Sequence, residues 1–176
     1  MVAALLSAGC SSEAGEPDAL PSLPSTSTSP SAAPSSAVPA SAQAETPQGA
    51  AAFARFFYEQ VALGFQTQNP DLVRQISLPS CESCNRYVQS ITSVREQDLR
   101  VEGGDFTILF AEAPSAETGG RARVDVAWNF AEVKYYDATG ALVNTGPAVA
   151  GVEETMQLVR REGSWVVESL VQVGQR

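Results

Sequence analysis

Residues 11–48, SSEAGEPDALPSLPSTSTSPSAAPSSAVPASAQAETPQ, hold seven of the chain's 11 prolines among Ser, Thr and Ala, with no lysine, arginine or aromatic side chain. A stretch of this composition cannot bury enough apolar surface to offset the entropy of ordering it. It is expected to be a disordered linker, with a reach between roughly 35 Å as a random coil and about 100 Å as extended polyproline II. Any core must come from the residues beyond it. From Gly49 the composition changes at once, and the 128 residues from 49 to 176 are enough for one domain.

The first folded stretch, AAFARFFYEQVALGFQTQN, brings Phe53, Phe56, Phe57, Val61 and Phe65 onto one helical face, the pattern of a core stripe. A short helix is expected next, with Asn69 as cap, Pro70 at its first position and Asp71 near its positive end. A third follows in PSCESCNRYVQSITSVREQD, where Cys84, Tyr87, Val88, Ile91 and Val94 recur at helical spacing.

After Leu99 the period changes to two. Phe106, Ile108 and Phe110 alternate, and so do Val124, Val126, Trp128 and Phe130. Past Phe130 the apolar parity slips to Val133 and Tyr135, which predicts a β-bulge and a bend within one long strand. Asp137 to Gly140 reads as a turn, ALVNTG as a short strand, Glu162-Gly163 as a hairpin turn between a strand with Met156 and Leu158 and a last one from Trp165 to Val173. Helices followed by a run of antiparallel strands make an α+β layout. The order resembles the NTF2-like cone, in which N-terminal helices pack on a curved antiparallel sheet that leaves a pocket at its open end.

The N-terminus runs MVAALLSAGCSS. An apolar segment, small residues at Ser7, Ala8 and Gly9, then Cys10 and two serines resemble a bacterial lipobox, in which cleavage before the cysteine leaves its thiol to carry lipid. Residues 1–9 are then a signal remnant, and Cys10 with residues up to 48 forms a lipidated linker. The apolar run is short and the first basic residue is Arg55; a start further upstream would supply both missing features.

Cys81-Glu82-Ser83-Cys84 is the sharpest motif in the folded part. A zinc site needs further ligands, and the chain has no histidine and no other cysteine once Cys10 is lipidated. A thioredoxin-type redox pair gains from a helix N-terminus but lacks the βαβ pattern of that fold, and Glu82 between the thiols opposes thiolate formation. A structural disulfide pinning Pro79-Ser80 to the third helix is the reading adopted, with Cys84 on the expected buried face; the redox pair stays open as the alternative.

These features together (the lipobox-like LLSAGC, the Ser/Thr/Pro spacer, AAFARFFYE, PSCESCNRY and a strand-rich end) are similar to a family of actinobacterial lipoproteins whose shared domain is a domain of unknown function. The most specific part of the likeness is Cys81-x-x-Cys84-x-x-Tyr87. The resemblance implies lipid anchoring, an NTF2-like domain and no established activity; the short leader is where this chain departs from it.

A net charge of -9 argues against nucleic-acid binding. Absence of histidine removes the Ser-His-Asp and Cys-His triads and the commonest general base, and Lys134 is the single lysine. The expected function is therefore a membrane-tethered extracytoplasmic binding or accessory domain without a cofactor, anchored through Cys10 to the outer face of the cytoplasmic membrane. Its expected partner is a small apolar ligand or an envelope protein. Two rival readings are an NTF2-like enzyme, drawing acid and base from Tyr58, Asp71, Tyr87, Asp125, Glu132 and Tyr135, and a thiol oxidoreductase using Cys81 and Cys84.

Overall fold

The structure, a computed structural model, describes residues 37–114, 116–117 and 119–175. The expected signal remnant, Cys10 and the linker up to residue 36 lie outside the described residues. Among the described residues four helices come first: α1 (Ala40–Gln43), α2 (Pro47–Thr67), α3 (Asp71–Arg74) and α4 (Glu82–Glu96). Strands β1 (Arg100–Gly103), β2 (Phe106–Glu112), β3 (Ala116–Glu117), β4 (Arg121–Phe130), β5 (Val133–Tyr136), β6 (Leu142–Gly146), β7 (Val149–Arg161) and β8 (Ser164–Gln175) follow. All the strand pairs are antiparallel, in one sheet of order β2-β4-β7-β8, with β3 also on β4, and another of order β1-β5-β6. Helices packed on a curved antiparallel sheet are the expected α+β cone.

Helix α2 is the axle of this arrangement. Thr46 caps it by accepting the Gly49 amide at 3.0 Å, and Pro47 opens it where a missing N–H costs nothing. Its stripe of Phe53, Phe56, Phe57, Tyr58 and Val61 is buried against β2 and β4, meeting Val124, Val126, Met156 and Leu158 from the concave face of the sheet. Helix α4 presents Cys84, Ile91 and Val94 as its buried positions and packs on β8.

Order reaches back into the segment read as linker. Helix α1 lies at residues 40–43, with Ala42 buried in the core. The indole of Trp165 donates to the Ala44 carbonyl at 2.9 Å, and Arg160 donates to the Gln43 carbonyl at 2.6 Å. The chain doubles back between α1 and α2 so tightly that a Cβ on Gly49 would fall 2.1 Å from the Ala44 carbonyl oxygen. Composition concealed this, because the docking uses backbone carbonyls and small alanines instead of an apolar stripe.

The slip past Phe130 is not a bulge within one strand, as the parity predicted. Strand β4 ends at Phe130, and β5 begins at Val133 in the other sheet. Strands β1 and β2 break at the same level, at Gly104 and Asp105, so β1-β5 and β2-β4 read as one two-stranded ribbon folded across. Crossed backbone bonds hold the fold line: Gly104 N–H to Glu132 at 3.1 Å and Ala131 N–H to Asp105 at 3.0 Å. Gly103 and Gly104 have φ of 74° and 75°, which L side chains rarely adopt, and a Cβ on Gly103 would lie 2.3 Å from the Glu132 oxygen.

Gly49→Ala is expected to lower stability by about 1–3 kcal/mol through overpacking of the α1–α2 corner. Urea titration of the full chain checks this; an unchanged midpoint means that the corner opens at no cost.

Candidate functional site

Along β7 the residues Val152, Met156 and Leu158 face the core, each buried. Glu154 shares their parity, so a carboxylate stands on the concave face of the sheet, directly paired with Val126 of β4. Two donors from different elements meet it. The Tyr58 hydroxyl on α2 donates to Oε2 of Glu154 in a short hydrogen bond, and the Trp128 indole N–H on β4 donates to the same oxygen at 3.0 Å. Both donors are neutral, and charge-assisted bonds of this kind are about twice as strong as neutral ones.

Aromatic rings fill the space around the pair. Tyr58 lies 5.1 Å from Phe106 and 5.9 Å from Trp128, while Phe106 lies 5.1 Å from Trp128 and 5.0 Å from Phe130, measured between ring centroids. Tyr87 from α4 adds its ring edge-on to Phe106. Burial first, and then the facing Glu154 charge, push the Tyr58 phenol well above its ordinary value of 10.0. The same two causes, in the same order, raise Tyr87. Both phenols therefore stay protonated throughout the physiological range, and Tyr58 remains a donor.

Two clefts border this knot, one lined by Tyr58 and Phe106 and the other by Glu154. One, of about 440 Å³ between α2 and β2, has Phe106, Ile108 and Leu63 in its wall and Arg55, Gln66 and Asp105 at its polar edge. Tyr58 belongs to its floor but has no surface open to solvent. The other, of about 480 Å³, lies between the start of α4 and β7-β8, lined by Ser80, Glu82, Ser83, Arg86 and Glu154 with Gln172. The carboxylate is thus reached from the α4 side, whereas its phenol partner is sealed from solvent.

The residues nominated from the sequence are scattered. Asp71 is exposed on α3 and paired with Arg74. Asp125 faces outward on β4, accepting from Arg123 at 2.9 Å and from Thr155 at 2.9 Å. Glu132 sits at the fold line beside Lys134 at 3.2 Å. Tyr135 is on β5, where partial burial raises its phenol. Only Tyr58 and Tyr87 come together, and the carboxylate they face is Glu154, which sequence reasoning passed over. Its signal was legible in V-E-E-T-M-Q-L: a charged residue at the inward position between Val152 and Met156.

Cys81 and Cys84 are joined by a disulfide, with neither residue exposed. Cys81 caps α4, its sulfur accepting the Cys84 amide at 3.2 Å. Two ties join this corner to β8: before the bridge Leu78 N–H donates to Val167 at 2.8 Å, and within the bridged turn the Ser83 hydroxyl donates to Leu170 at 3.1 Å. Disulfide exchange needs an attacking thiolate to reach a sulfur, so this burial counts against redox turnover.

A family model described as "Family of unknown function (DUF6318)" matches residues 23–171. No curated protein matches the chain in sequence. Among solved structures, the intermembrane space region of the chloroplast protein ARC6 superposes with a TM-score of 0.51 at 11% identity, covering 73% of this chain and 97% of that one. A protein with a cystatin-like fold from Caulobacter vibrioides gives 0.41 at 18% identity, covering 72% and 92%. An NTF2 structure named Rd1NTF2_05 gives 0.35 at 14%, covering 69% and 96%. The first of these likenesses supports the fold alone.

Because Tyr58 and Tyr87 ionise less readily folded than unfolded, the stability they contribute is complete below the ordinary phenol value and is lost as pH rises beyond it. Tyrosinate absorbance is expected to show these two phenols ionising together with unfolding above about pH 10; titration of all four tyrosines in a still-folded chain contradicts it. Replacing both cysteines by serine is expected to cost about 2 kcal/mol, the chain-entropy value for so short a loop, and the oxidised pair should hold a potential below about -300 mV. A potential near those of exchange catalysts restores the oxidoreductase reading.

Proposed function

We propose that this chain, which belongs to the DUF6318 family of unknown function, is a tethered accessory module: lipid on Cys10 holds it at the outer face of the cytoplasmic membrane, and its α+β domain binds an envelope protein there without turning over a substrate. The observation that carries the reading is the ring-filled interior of the cone. Where a cone of this kind has room for a small apolar molecule, Tyr58, Phe106, Trp128 and Phe130 pack against one another. An acid–base pair must reach its substrate, and Tyr58 is wholly enclosed while Asp71, Asp125 and Glu132 each stand apart from the phenols. The clefts that remain are at the perimeter, suited to contacts with another macromolecule.

The tether rests on the small residues before Cys10, the serines after it and the Ser/Thr/Pro spacer that follows. Two or more acyl chains hold a protein on a membrane far more durably than one. The reading makes the cysteine, and not the domain, responsible for the location.

The full chain, expressed from its own locus and with whatever coding sequence precedes Met1, is expected to sediment with membranes and to carry acyl mass on Cys10. Cys10→Ala is expected to release it into the soluble fraction. A variant that still sediments with membranes, or an unmodified Cys10 in the membrane-bound protein, overturns the tether.

A further inference from the structure

We infer that the cleft between α4 and β8 is a binding site for a ligand carrying an ammonium or guanidinium group, with Glu154 as its counter-ion. The inference deepens the binding reading above and rests on it for the setting.

Glu154 is partly buried on a face otherwise apolar, and among the described residues no Lys or Arg forms an ion pair with it. Hydrogen bonds from Tyr58 and Trp128 orient the carboxylate but bring no positive charge, and both go to Oε2. Among the described residues Oε1 has no protein donor, and Glu154 lines the cleft. A charge set into an apolar face is expensive unless paired, and its two donors come from elements held rigidly in the core. This is the construction of a pre-organised acceptor: the orienting shell is locked, and one oxygen is left for the ligand.

The cleft suits such a head group. Its volume of about 480 Å³ falls in the range of sites for small molecules or a single inserted side chain. Ser80, Ser169 and Gln172 supply neutral polar groups around the acid, and Glu82 adds a second carboxylate at the rim. The one cation in the lining, Arg86, is exposed and turned toward the Ser83 hydroxyl at 2.8 Å instead of toward Glu154. Burial keeps the Tyr58 phenol protonated, so its hydrogen bond to the acid persists when a cation binds on the other side.

The test uses the full chain labelled with nitrogen-15 and follows its two indole N–H resonances. Trp128 donates to Glu154 and reports the site; Trp165 donates to Ala44 and reports the fold. Titration with n-butylammonium is expected to shift Trp128 saturably and leave Trp165 in place, while n-butanol shifts neither. Glu154→Gln keeps an acceptor for both donors and should weaken binding at least tenfold. Gln172 pairs directly with Glu154 across β7 and β8 and is exposed, so Gln172→Lys should set an internal cation beside the acid and block the probe without disturbing the core. A blocked peptide Gly-Lys-Gly distinguishes the sources: binding tenfold tighter than butylammonium assigns a partner protein's side chain, equal or weaker binding a free amine. An unmoved Trp128, an equal response to the alcohol, or butylammonium binding within twofold of wild type in Gln172→Lys overturns the site. Failure here leaves the Cys10-dependent tether intact, since membrane fractionation reads that separately.

Discussion

A carboxylate placed on the core side of a sheet forces its surroundings to accommodate it, and much of this domain is arranged around the one at Glu154. The acid cannot be left bare on a face shared with Val152, Met156 and Leu158, since a desolvated charge without hydrogen bonds costs several kcal/mol. Tyr58 and Trp128 relieve that cost, and in doing so they couple three elements, α2, β4 and β7, at one oxygen atom. The helix is thereby held in register on the sheet by a directional bond, where ring packing alone would allow sliding. The same arrangement closes the cone: the rings that shield the acid occupy the volume in which a ligand would otherwise sit.

The clefts take their positions from two further constraints. At Gly103-Gly104 and Ala131-Glu132 the ribbon of strands folds across itself, so its far half joins the separate, smaller sheet β1-β5-β6. At the other end, the Cys81–Cys84 bridge fixes the corner from which α4 departs, with ties to β8 at Val167, from Leu78 before it, and at Leu170, from Ser83 within it. The start of α4 is therefore held at a fixed distance from β7-β8. The cleft containing Glu154 is the gap between these held parts, and its shape follows from backbone connections more than from the side chains lining it.

Much of this was legible in the sequence wherever one physical signal dominated. The apolar spacing of Phe53, Phe56, Phe57 and Val61 sufficed for α2, because a helical stripe has a single way to be buried. The Asp137–Gly140 turn and the Glu162-Gly163 hairpin announced themselves through residues that favour tight turns. Proximity of Cys81 and Cys84 needed only a helix start between them. Parity reasoning stopped short at Phe130, since a slip in alternation is the same in sequence whether a strand bulges or leaves for another sheet. The domain's true beginning was missed for a related reason: α1 docks through alanines and carbonyls that composition does not distinguish from linker.

Local pattern was enough for the α+β class and the helical core stripe, and residue inventory for the acidic charge balance and the absence of histidine. The sequence also carried the acid at Glu154, marked from its neighbour Glu153 only by sharing the parity of Val152 and Met156, with nothing to say which side chains it would meet. That Glu154 meets Tyr58, 96 positions away, and Trp128, 26 positions away, came from the tertiary fold alone. So did the separation of Asp71, Asp125 and Glu132 from both phenols. Convergence of side chains is set by how a curved sheet wraps a helix, and that curvature depends on strand register, on the glycine-enabled fold line and on ring packing acting together. No single stretch of sequence contains it.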